Sequence, residues 1–319
     1  MDIEFKPIPD SDLDAYFDLL NDKSLAVNAG SVPHPITRDW VRKRLISRRV
    51  EETSGTIADR GLYVDGTLVG AAGYFYRERG LQIGYSIHRD HRGKGLATLA
   101  AKLSVQMARD HRRTGPIGAD YFQDNPASGR VLEKLGFART GEATGTSAGR
   151  EGDIPSYLVA LSGDVVLSEL DKRDYPVLYQ QHSDAEAQFQ AAGGAAHKSE
   201  AEHTAHLERV TKGGAQIKTT LHEGHVAGYV ASFNRFGKRE ISYWIGREFR
   251  GKGIASKAVA LWLEQMPMPA GGLFARVVKD HPASARVLEK NGFTAFEDDK
   301  YFSEIRGAEV EETLYRLGE

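Results

Sequence analysis

A six-residue stretch occurs twice in this chain and constrains what the chain can fold into. The first copy reads RGKGLA from Arg92 to Ala97, and the second reads RGKGIA from Arg250 to Ala255, 158 residues later. Each copy follows a run with apolar residues at every second position and precedes apolar residues at helical spacing. We therefore predict the same local structure in both halves: a strand, then a glycine-rich turn, then a helix.

A second motif repeats at nearly the same interval. NPASGRVLEKLGF begins at Asn125 and returns as HPASARVLEKNGF from His281. The chain thus reads as two copies of one unit of about 155 to 160 residues, long enough for each copy to bury its own core. The predicted domains are residues 1–162 and 163–319, with the junction at Ser162-Gly163-Asp164.

The repeated turn has the features of an anion site. Glycines allow a ligand close to the backbone, and the N–H groups of a first helical turn point at one place, where the helix dipole favours negative charge. Side-chain cations add to this, and the expected ligand is a phosphate or pyrophosphate. The alternative for either copy alone is a tight turn with surface cations. The residues predicted to hold the ligand are Arg92, Gly93, Lys94, Gly95, Leu96, Ala97, Arg250, Gly251, Lys252, Gly253, Ile254 and Ala255.

Composition narrows the class of protein. The net charge of −2 gives no basic field for nucleic acid, and no apolar run approaches the roughly 20 residues of a membrane span. The absence of cysteine excludes disulfides, thiolate metal sites and a cysteine acyl-enzyme. We expect a cytoplasmic protein that binds neither nucleic acid nor a membrane.

Local signals give a coarse assignment of elements. Thr37 and Ser11 are predicted helix caps, and Asp65-Gly66 predicts a hairpin. Residues 140–152 are rich in Gly, Thr and Ala, which predicts a long loop, and a closing strand is expected over residues 157–161.

The two motifs together resemble the GCN5-related N-acetyltransferases (GNAT). The turn matches Arg-x-x-Gly-x-Ala, and the second motif, with Pro33-His34-Pro35-Ile36-Thr37, is most similar to the RimJ/RimL branch. The resemblance covers each half once. It implies an α/β (α+β) class: two tandem GNAT folds, each a mixed, mostly antiparallel twisted sheet with helices on both faces. It also implies acetyl-CoA as co-substrate, its pyrophosphate in the repeated turn and its thioester carbonyl near the amides of Ile87 and Ile245.

The family reaction is direct transfer, in which a bound amine attacks acetyl-CoA. Many members carry a glutamate on the strand before the turn as base, and Glu240 has this place, ten residues before Arg250. The equivalent residue in the first half is Gln82, which cannot accept a proton. A solvated strand-edge carboxylate is the alternative for Glu240.

The departing thiolate needs a hydrogen-bond or proton donor. The tyrosine that many members place on the helix of the second motif is Leu132 here, and Leu288 in the second half. The RimJ/RimL-like serine is present in both halves, so Ser128 and Ser284 are the candidate acids; their alternative is a bond to backbone in a first helical turn.

Asn125 is both a helix cap and a candidate pantetheine contact. The equivalent residue in the second half is His281, a poorer cap. At the glutamate and asparagine positions, each half therefore departs once from the family pattern, and the sequence does not decide which half is active, or whether both are.

The histidine cluster and two of the tryptophans are assigned structural rather than functional roles. His197, His203 and His206 are interpreted as a solvated helix face, and no metal site is predicted. Trp40 and Trp262 lie on apolar helix stripes and are expected in the core.

The resulting hypothesis is an N-acetyltransferase that moves acetyl to a primary amine of a small molecule or a peptide N-terminus. The alternative is an acyl-CoA-binding sensor or partner protein in which one or both halves lack catalysis. Acceptor selection is expected in the loops at residues 27–37 and 191–198, while acceptor identity and oligomeric state stay open.

Overall fold

The structure, a computed structural model, describes residues 2–192 and 199–318. Backbone contacts divide it into two compact units, Met1–Asp164 and Val165–Glu319. Each unit contains one seven-stranded sheet.

The first unit has the strand order β1-β2-β3-β4-β5-β7-β6, and the β4–β5 pair is parallel while the other neighbours are antiparallel. Its strands are β1 (Ile3–Lys6), β2 (Ile57–Val64), β3 (Thr67–Arg77), β4 (Gly80–Ile87), β5 (Ile117–Phe122), β6 (Ala138–Ser147) and β7 (Arg150–Leu161). Its helices are α1 (Leu13–Leu20), α2 (Lys23–Ala26), α3 (Arg38–Thr53), α4 (Leu96–Asp110) and α5 (Pro126–Lys134).

The second unit repeats this sheet, with the order β13-β14-β12-β11-β10-β9-β8 and a parallel β11–β12 pair. Its strands are β8 (Val165–Glu169), β9 (Gln216–His222), β10 (His225–Arg235), β11 (Lys238–Ile245), β12 (Leu273–Val278), β13 (Thr294–Ser303) and β14 (Ala308–Leu317). Its helices are α6 (Tyr175–His182), α7 (Ala185–Ala191), α8 (Glu200–Lys212), α9 (Ile254–Gln265) and α10 (Pro282–Lys290).

Alternation of side chains along the strands places helices on both faces of the sheet. In β2, Leu62 packs with Leu96 and Ala100 of α4, while the next residue, Tyr63, packs with α1 and α3 through Leu19 and Val41. Successive strand residues point to opposite faces, so one strand contributes to two helical layers. The predicted fold class is confirmed: each unit is a mixed, mostly antiparallel sheet packed with helices.

The parallel strand pair separates almost at once in both units. β3 and β4 stay in register over eight pairs from Gly70↔Ile87 to Arg77↔Gly80, but the described β4–β5 register is the single pair Gln82↔Gly118. The second unit does the same, with Glu240↔Phe274 between β11 and β12. Each sheet is therefore open at the carboxyl end of its central strand, where the repeated turn follows.

The predicted long loop at residues 140–152 is wrong, because this segment forms most of β6 and the start of β7. The two strands pair antiparallel from Ala138↔Ala160 to Ser147↔Arg150, with register shifts at Arg139/Gly141 and Gly145/Ser147. These irregularities accommodate residues that a regular strand disfavours. The composition of this segment indicated a loop because composition carries no information about the partner strand that follows later in the chain.

The two helix caps had different outcomes. Thr37 is confirmed, since its Oγ1 accepts the Trp40 amide at 3.2 Å at the start of α3. Ser11 is wrong: it lies in a short 3₁₀ turn, Asp10–Asp12, that precedes α1, and its hydroxyl donates to Asp12 Oδ1 at 3.1 Å. A sequence pattern does not separate a 3₁₀ turn from the first turn of an α-helix.

Candidate functional site

Four glycines give the repeated turn its shape. Gly93 and Gly95 have φ of 78° and 80°, and Gly251 and Gly253 have φ of 76° and 74°. These are left-handed conformations that cost other residues about 1 kcal/mol or more. A Cβ placed at any of the four would meet nothing within 4 Å. The glycines are thus required by the backbone rather than by crowding, and the outer face of each turn is open.

The amides of this turn have no hydrogen-bond acceptor in the part of the chain that the structure describes. Within residues 2–192 and 199–318, no N–H group from Gly93 to Ala97 or from Gly251 to Ala255 donates a hydrogen bond. In both copies the second turn glycine, Gly95 or Gly253, is the N-terminal cap of the long helix that follows. Unpaired amides at a helix start, on an open face, are groups of the kind that bind anions.

The arginines of the two turns differ in what compensates their charge. Both tie the turn to its strand, Arg92 Nε to Ile87 O at 3.0 Å and Arg250 Nε to Ile245 O at 3.1 Å. Arg92 also binds Asp22 Oδ2 at 2.5 Å and Ser24 Oγ at 2.7 Å. In the described part of the chain no carboxylate lies within ion-pair distance of Arg250. The positive charge of Arg250 is therefore available to a ligand, while that of Arg92 is largely neutralised.

Asp22 is correspondingly held ionised in the first unit. Desolvation raises the pKa of its carboxyl, but hydrogen bonds from Ser24 and Arg92 outweigh that and lower the pKa below its usual value. Among the described residues the turn lysines have no carboxylate partner. Lys94 Nζ donates to the Asp90 carbonyl at 3.2 Å, and Lys252 Nζ lies 5.6 Å from the centre of the Phe249 ring.

The predicted amide donors point into the opening between the strands. His88 N donates to Val69 O across β3 and β4 at 2.9 Å. Because hydrogen-bonded and non-hydrogen-bonded positions alternate in an antiparallel pair, the neighbouring Ile87 amide faces away from β3, toward β5. Gly246 N donates to Ala227 O at 2.9 Å, which turns the Ile245 amide toward β12 in the same way.

A tyrosine and a serine meet at the opening in each unit. Tyr85 Oη lies 2.9 Å from Ser128 Oγ, and Tyr243 Oη lies 2.8 Å from Ser284 Oγ. Burial raises the pKa of Tyr85, and it raises that of Tyr243 to about 12. Sequence reasoning looked for a tyrosine on the helix and missed the one on the strand. The available signal was its spacing, seven residues before Arg92 and before Arg250.

Asn125 and His281 behave as predicted helix caps of unequal quality. Asn125 Oδ1 accepts the Ser128 amide at 3.3 Å, whereas the His281 side chain makes no capping bond. Burial, and then the charge of Arg250, lower the pKa of His281. The His281 imidazole is therefore held neutral at pH 7.

Glu240 is not the solvated strand-edge carboxylate of the alternative interpretation. Its residue is 4% exposed, and its Oε1 accepts from Arg276 Nε at 2.9 Å. Arg276 also binds Glu312 at 2.6 Å and Asp299 at 3.2 Å. The carboxylate sits on a central strand, between β10 and β12, and one of its oxygens is committed to an internal ion pair. Its role as a base stays a prediction.

A family model described as an acetyltransferase (GNAT) domain matches residues 2–138 and again residues 164–294. These two segments make up most of the chain. The protein belongs to the GNAT acetyltransferase family. Acetyl-CoA is the co-substrate of this family, and the open turn and unused amides are groups of the kind that hold a diphosphate.

Relatives of this GNAT protein include the probable N-acetyltransferase YjcK of Bacillus subtilis, 40% identical over 83 residues, which are 25% of this chain and 46% of that protein. The match thus spans about half of that relative. Among solved structures, the ribosomal-protein α-N-acetyltransferase RimL with coenzyme A is 15% identical, covering 49% of this chain and 92% of its own, with a TM-score of 0.44. Spermidine N-acetyltransferase from Vibrio cholerae with CoA and spermine is 14% identical, covering 48% and 94%, with a TM-score of 0.43.

Histidines of the second GNAT unit do not form the predicted solvated face. His203 is fully buried, with Nε2 at 2.8 Å from His182 Nδ1, because this side of α8 packs on α6. His206 is half-buried beside Arg209, and His197 lies outside the described residues. The described residues contain no cluster of three or more side chains suited to a metal. Trp262 is confirmed in the core, and Trp40 packs against the α1–α3 cluster.

Within the described ranges, no helix combines the length and the apolar character needed to cross a bilayer.

Proposed function

We propose that this protein transfers an acetyl group from acetyl-CoA directly to a primary amine of a small molecule or a peptide N-terminus. The observation that carries the proposal is the pair of open turns, each with five unused amides, placed where a parallel strand pair separates. This arrangement supports a diphosphate at the helix start and an extended arm between the strands.

The second unit supports the fuller set of donor contacts. The amides from Gly251 to Ala255 bind the diphosphate, with the charges of Arg250 and Lys252 beside them. The Ile245 amide binds the thioester carbonyl oxygen and stabilises the negative charge that develops there during attack. The first unit would use the same groups from Gly93 to Ala97, with less positive charge because Asp22 is bound to Arg92.

The Tyr–Ser pair supports departure of the coenzyme thiolate. A tyrosine with a pKa of about 12 keeps its proton at neutral pH. A thiol of ordinary acidity has a pKa of about 8.5, so we infer that Tyr243 and Ser284 stabilise the thiolate by hydrogen bonding rather than by full proton transfer.

Replacing Tyr243 with phenylalanine removes the Tyr–Ser hydrogen bond with little change in shape. We expect kcat to fall about tenfold while KM for acetyl-CoA stays within about twofold, because a hydrogen bond to a charged group contributes about 1.5–3 kcal/mol. Steady-state kinetics of Tyr243→Phe beside the matched Tyr85→Phe variant measures this. Equal kcat in wild type and both variants would remove the tyrosines from the mechanism.

Glu240 is the proposed base of the second unit, acting on the amine directly or through water. We expect Glu240→Gln to lower kcat/KM about 100-fold at neutral pH. Gln82 in the first unit shows that this fold accepts glutamine there. A variant with unchanged kcat/KM and reduced thermal stability would assign Glu240 to the Arg276 ion pairs alone.

The proposed activity is tested by incubating the full chain with acetyl-CoA and amines of several classes: polyamines, amino acids, aminoglycosides and short peptides with free N-termini. Release of coenzyme A thiol above background for at least one class is expected. Saturable binding of acetyl-CoA with no thiol release across the panel would favour the second candidate, an acyl-CoA-binding protein.

That second candidate is favoured for the first unit by two observations. Gln82 occupies the base position, and the charge of Arg92 is compensated by Asp22. Both observations are consistent with a first unit that binds acyl-CoA or supports the second unit, and a second unit that catalyses acetyl transfer.

A further inference from the structure

A cavity of about 320 Å³ opens in the second unit, away from the repeated turn. Its lining includes Gln216 on β9, Ser232 on β10, Arg239 on β11 and Trp262 on α9. Arg239 and Ile245 are six residues apart on β11, which at about 3.4 Å per residue separates them by roughly 20 Å. The cavity is therefore a different site from the donor opening at Ile245.

Arg239 brings to this cavity a positive charge that has no acidic partner among residues 2–192 and 199–318. Its guanidinium donates to Ser232 Oγ at 3.1 Å, Gln216 Oε1 at 2.9 Å and the Gly214 carbonyl at 3.3 Å. All three acceptors are neutral, and the described residues place no carboxylate within ion-pair distance. Desolvation lowers the pKa of Arg239, and no charged neighbour offsets it. Two of the five guanidinium N–H groups are left for a ligand.

In the first unit, larger or apolar side chains occupy two of the positions that line this cavity in the second unit. The position equivalent to Ser232 is Tyr74, 158 residues earlier, and its side chain is 1% exposed and bonded to His111 at 2.7 Å and Arg113 at 3.2 Å. The position equivalent to Arg239 is the buried Leu81. The second unit thus has the smaller Ser232 and the partly exposed Arg239 where the first unit has a buried tyrosine and a buried leucine.

We propose that this cavity binds a small organic monocarboxylate with an apolar body. The carboxylate pairs with the two remaining N–H donors of Arg239, which match its two oxygens. The apolar body contacts Trp262, Met266 and Met268, and methionine side chains adapt to ligands of different shape. One cation with otherwise neutral polar neighbours suits a single negative charge, and the volume lies at the lower end of the about 300–1,000 Å³ typical of ligand sites.

The test is calorimetric titration of the full chain with phenylacetate in the presence of saturating coenzyme A. Phenylacetamide, which has the same shape without charge, and phenyl phosphate are titrated in parallel. We expect phenylacetate to bind in spite of the coenzyme, and at least tenfold more tightly than the other two compounds. Arg239→Gln, and Ser232→Tyr, which restores the filling residue of the first unit, should each weaken binding at least tenfold.

Arg235→Gln is the matched control, since it removes an exposed arginine from the neighbouring strand and should leave phenylacetate binding unchanged. Retained circular dichroism and coenzyme A binding show that each variant is folded. The proposal is overturned if phenylacetate fails to bind, if coenzyme A displaces it, or if phenylacetamide or phenyl phosphate binds as tightly. Unchanged affinity in a folded Arg239→Gln variant overturns it as well. None of these results depends on acetyl transfer.

Discussion

Alanine at both Gly251 and Gly253 is expected to weaken acetyl-CoA binding in the second unit about 1,000-fold. Each added Cβ projects into the open face that the diphosphate needs, and each residue must hold a left-handed φ. Displacing the diphosphate from two amides removes two hydrogen bonds to a charged group, each about 1.5–3 kcal/mol, and about 4 kcal/mol corresponds to 1,000-fold. Isothermal titration calorimetry with acetyl-CoA measures the loss.

The strain of the double substitution has a matched control in the same unit. Gly237 and Gly307 have φ of 74° and 63°, and a Cβ at either also meets nothing within 4 Å. The Gly237→Ala/Gly307→Ala variant should therefore lose comparable stability and keep its affinity for acetyl-CoA. If the two double variants bind equally well, the repeated turn is not the diphosphate site.

Replacing Arg276 with methionine is expected to destabilise the second unit by about 3–5 kcal/mol, because it leaves buried carboxylates without a counter-ion. The side chains of Arg276, Glu240 and Glu312 are 13%, 5% and 8% exposed. For a unit of this size the loss corresponds to a fall in Tm on the order of 10 °C. Differential scanning calorimetry of the variant beside wild type measures it.

The pH dependence of this loss follows from the charges. Burial lowers the pKa of Arg276, but the hydrogen bonds that it donates to Glu240 and Glu312 outweigh that and raise the pKa overall. The arginine is thus charged across the accessible pH range, and its contribution in wild type persists until strongly alkaline pH. The Lys300 amide, and then Arg276, lower the pKa of the Asp299 carboxyl. The part of the stability that comes from this pair is lost as pH falls and Asp299 becomes protonated, so the Tm deficit of Arg276→Met should shrink as pH falls.

Two further variants identify the source of the destabilisation. Adding Glu240→Gln and Glu312→Gln to Arg276→Met should recover most of the lost stability, since neutral amides replace the unpaired charges. Arg173→Met breaks an exposed pair with Asp171 and should cost no more than about 1 kcal/mol. A full-sized deficit that is independent of pH and persists in the triple variant would mean that lost packing, rather than charge, is responsible.

Local sequence rules predicted the parts of the site that local chemistry determines. The strand, turn and helix at Arg92 and Arg250 follow from alternation, glycine and helical spacing within about 30 residues. The caps at Thr37 and Asn125 are likewise formed by groups three residues apart. Such features are visible in sequence because each interaction lies within one short segment.

What the sequence did not reveal depends on distant partners. Tyr85 and Ser128 are 43 residues apart, and Glu240 and Arg276 are 36 apart, so neither pair leaves a local pattern. The β6–β7 pairing overrides a composition that favours a loop. The buried His203 shows the same limit, because the helix that covers it, α6, lies earlier in the chain.

The separation of the central strands gives each sheet an uncovered interior edge. One register pair joins β4 to β5, and one joins β11 to β12. Each sheet therefore consists of two smaller sheets that are connected by a single residue pair. An extended ligand in that gap would take the place of a strand and form hydrogen bonds with the backbone of the strands on both sides. A bound coenzyme would then join the two parts of the sheet by continuous hydrogen bonding. It would contribute to the stability of the fold as well as supplying the acetyl group.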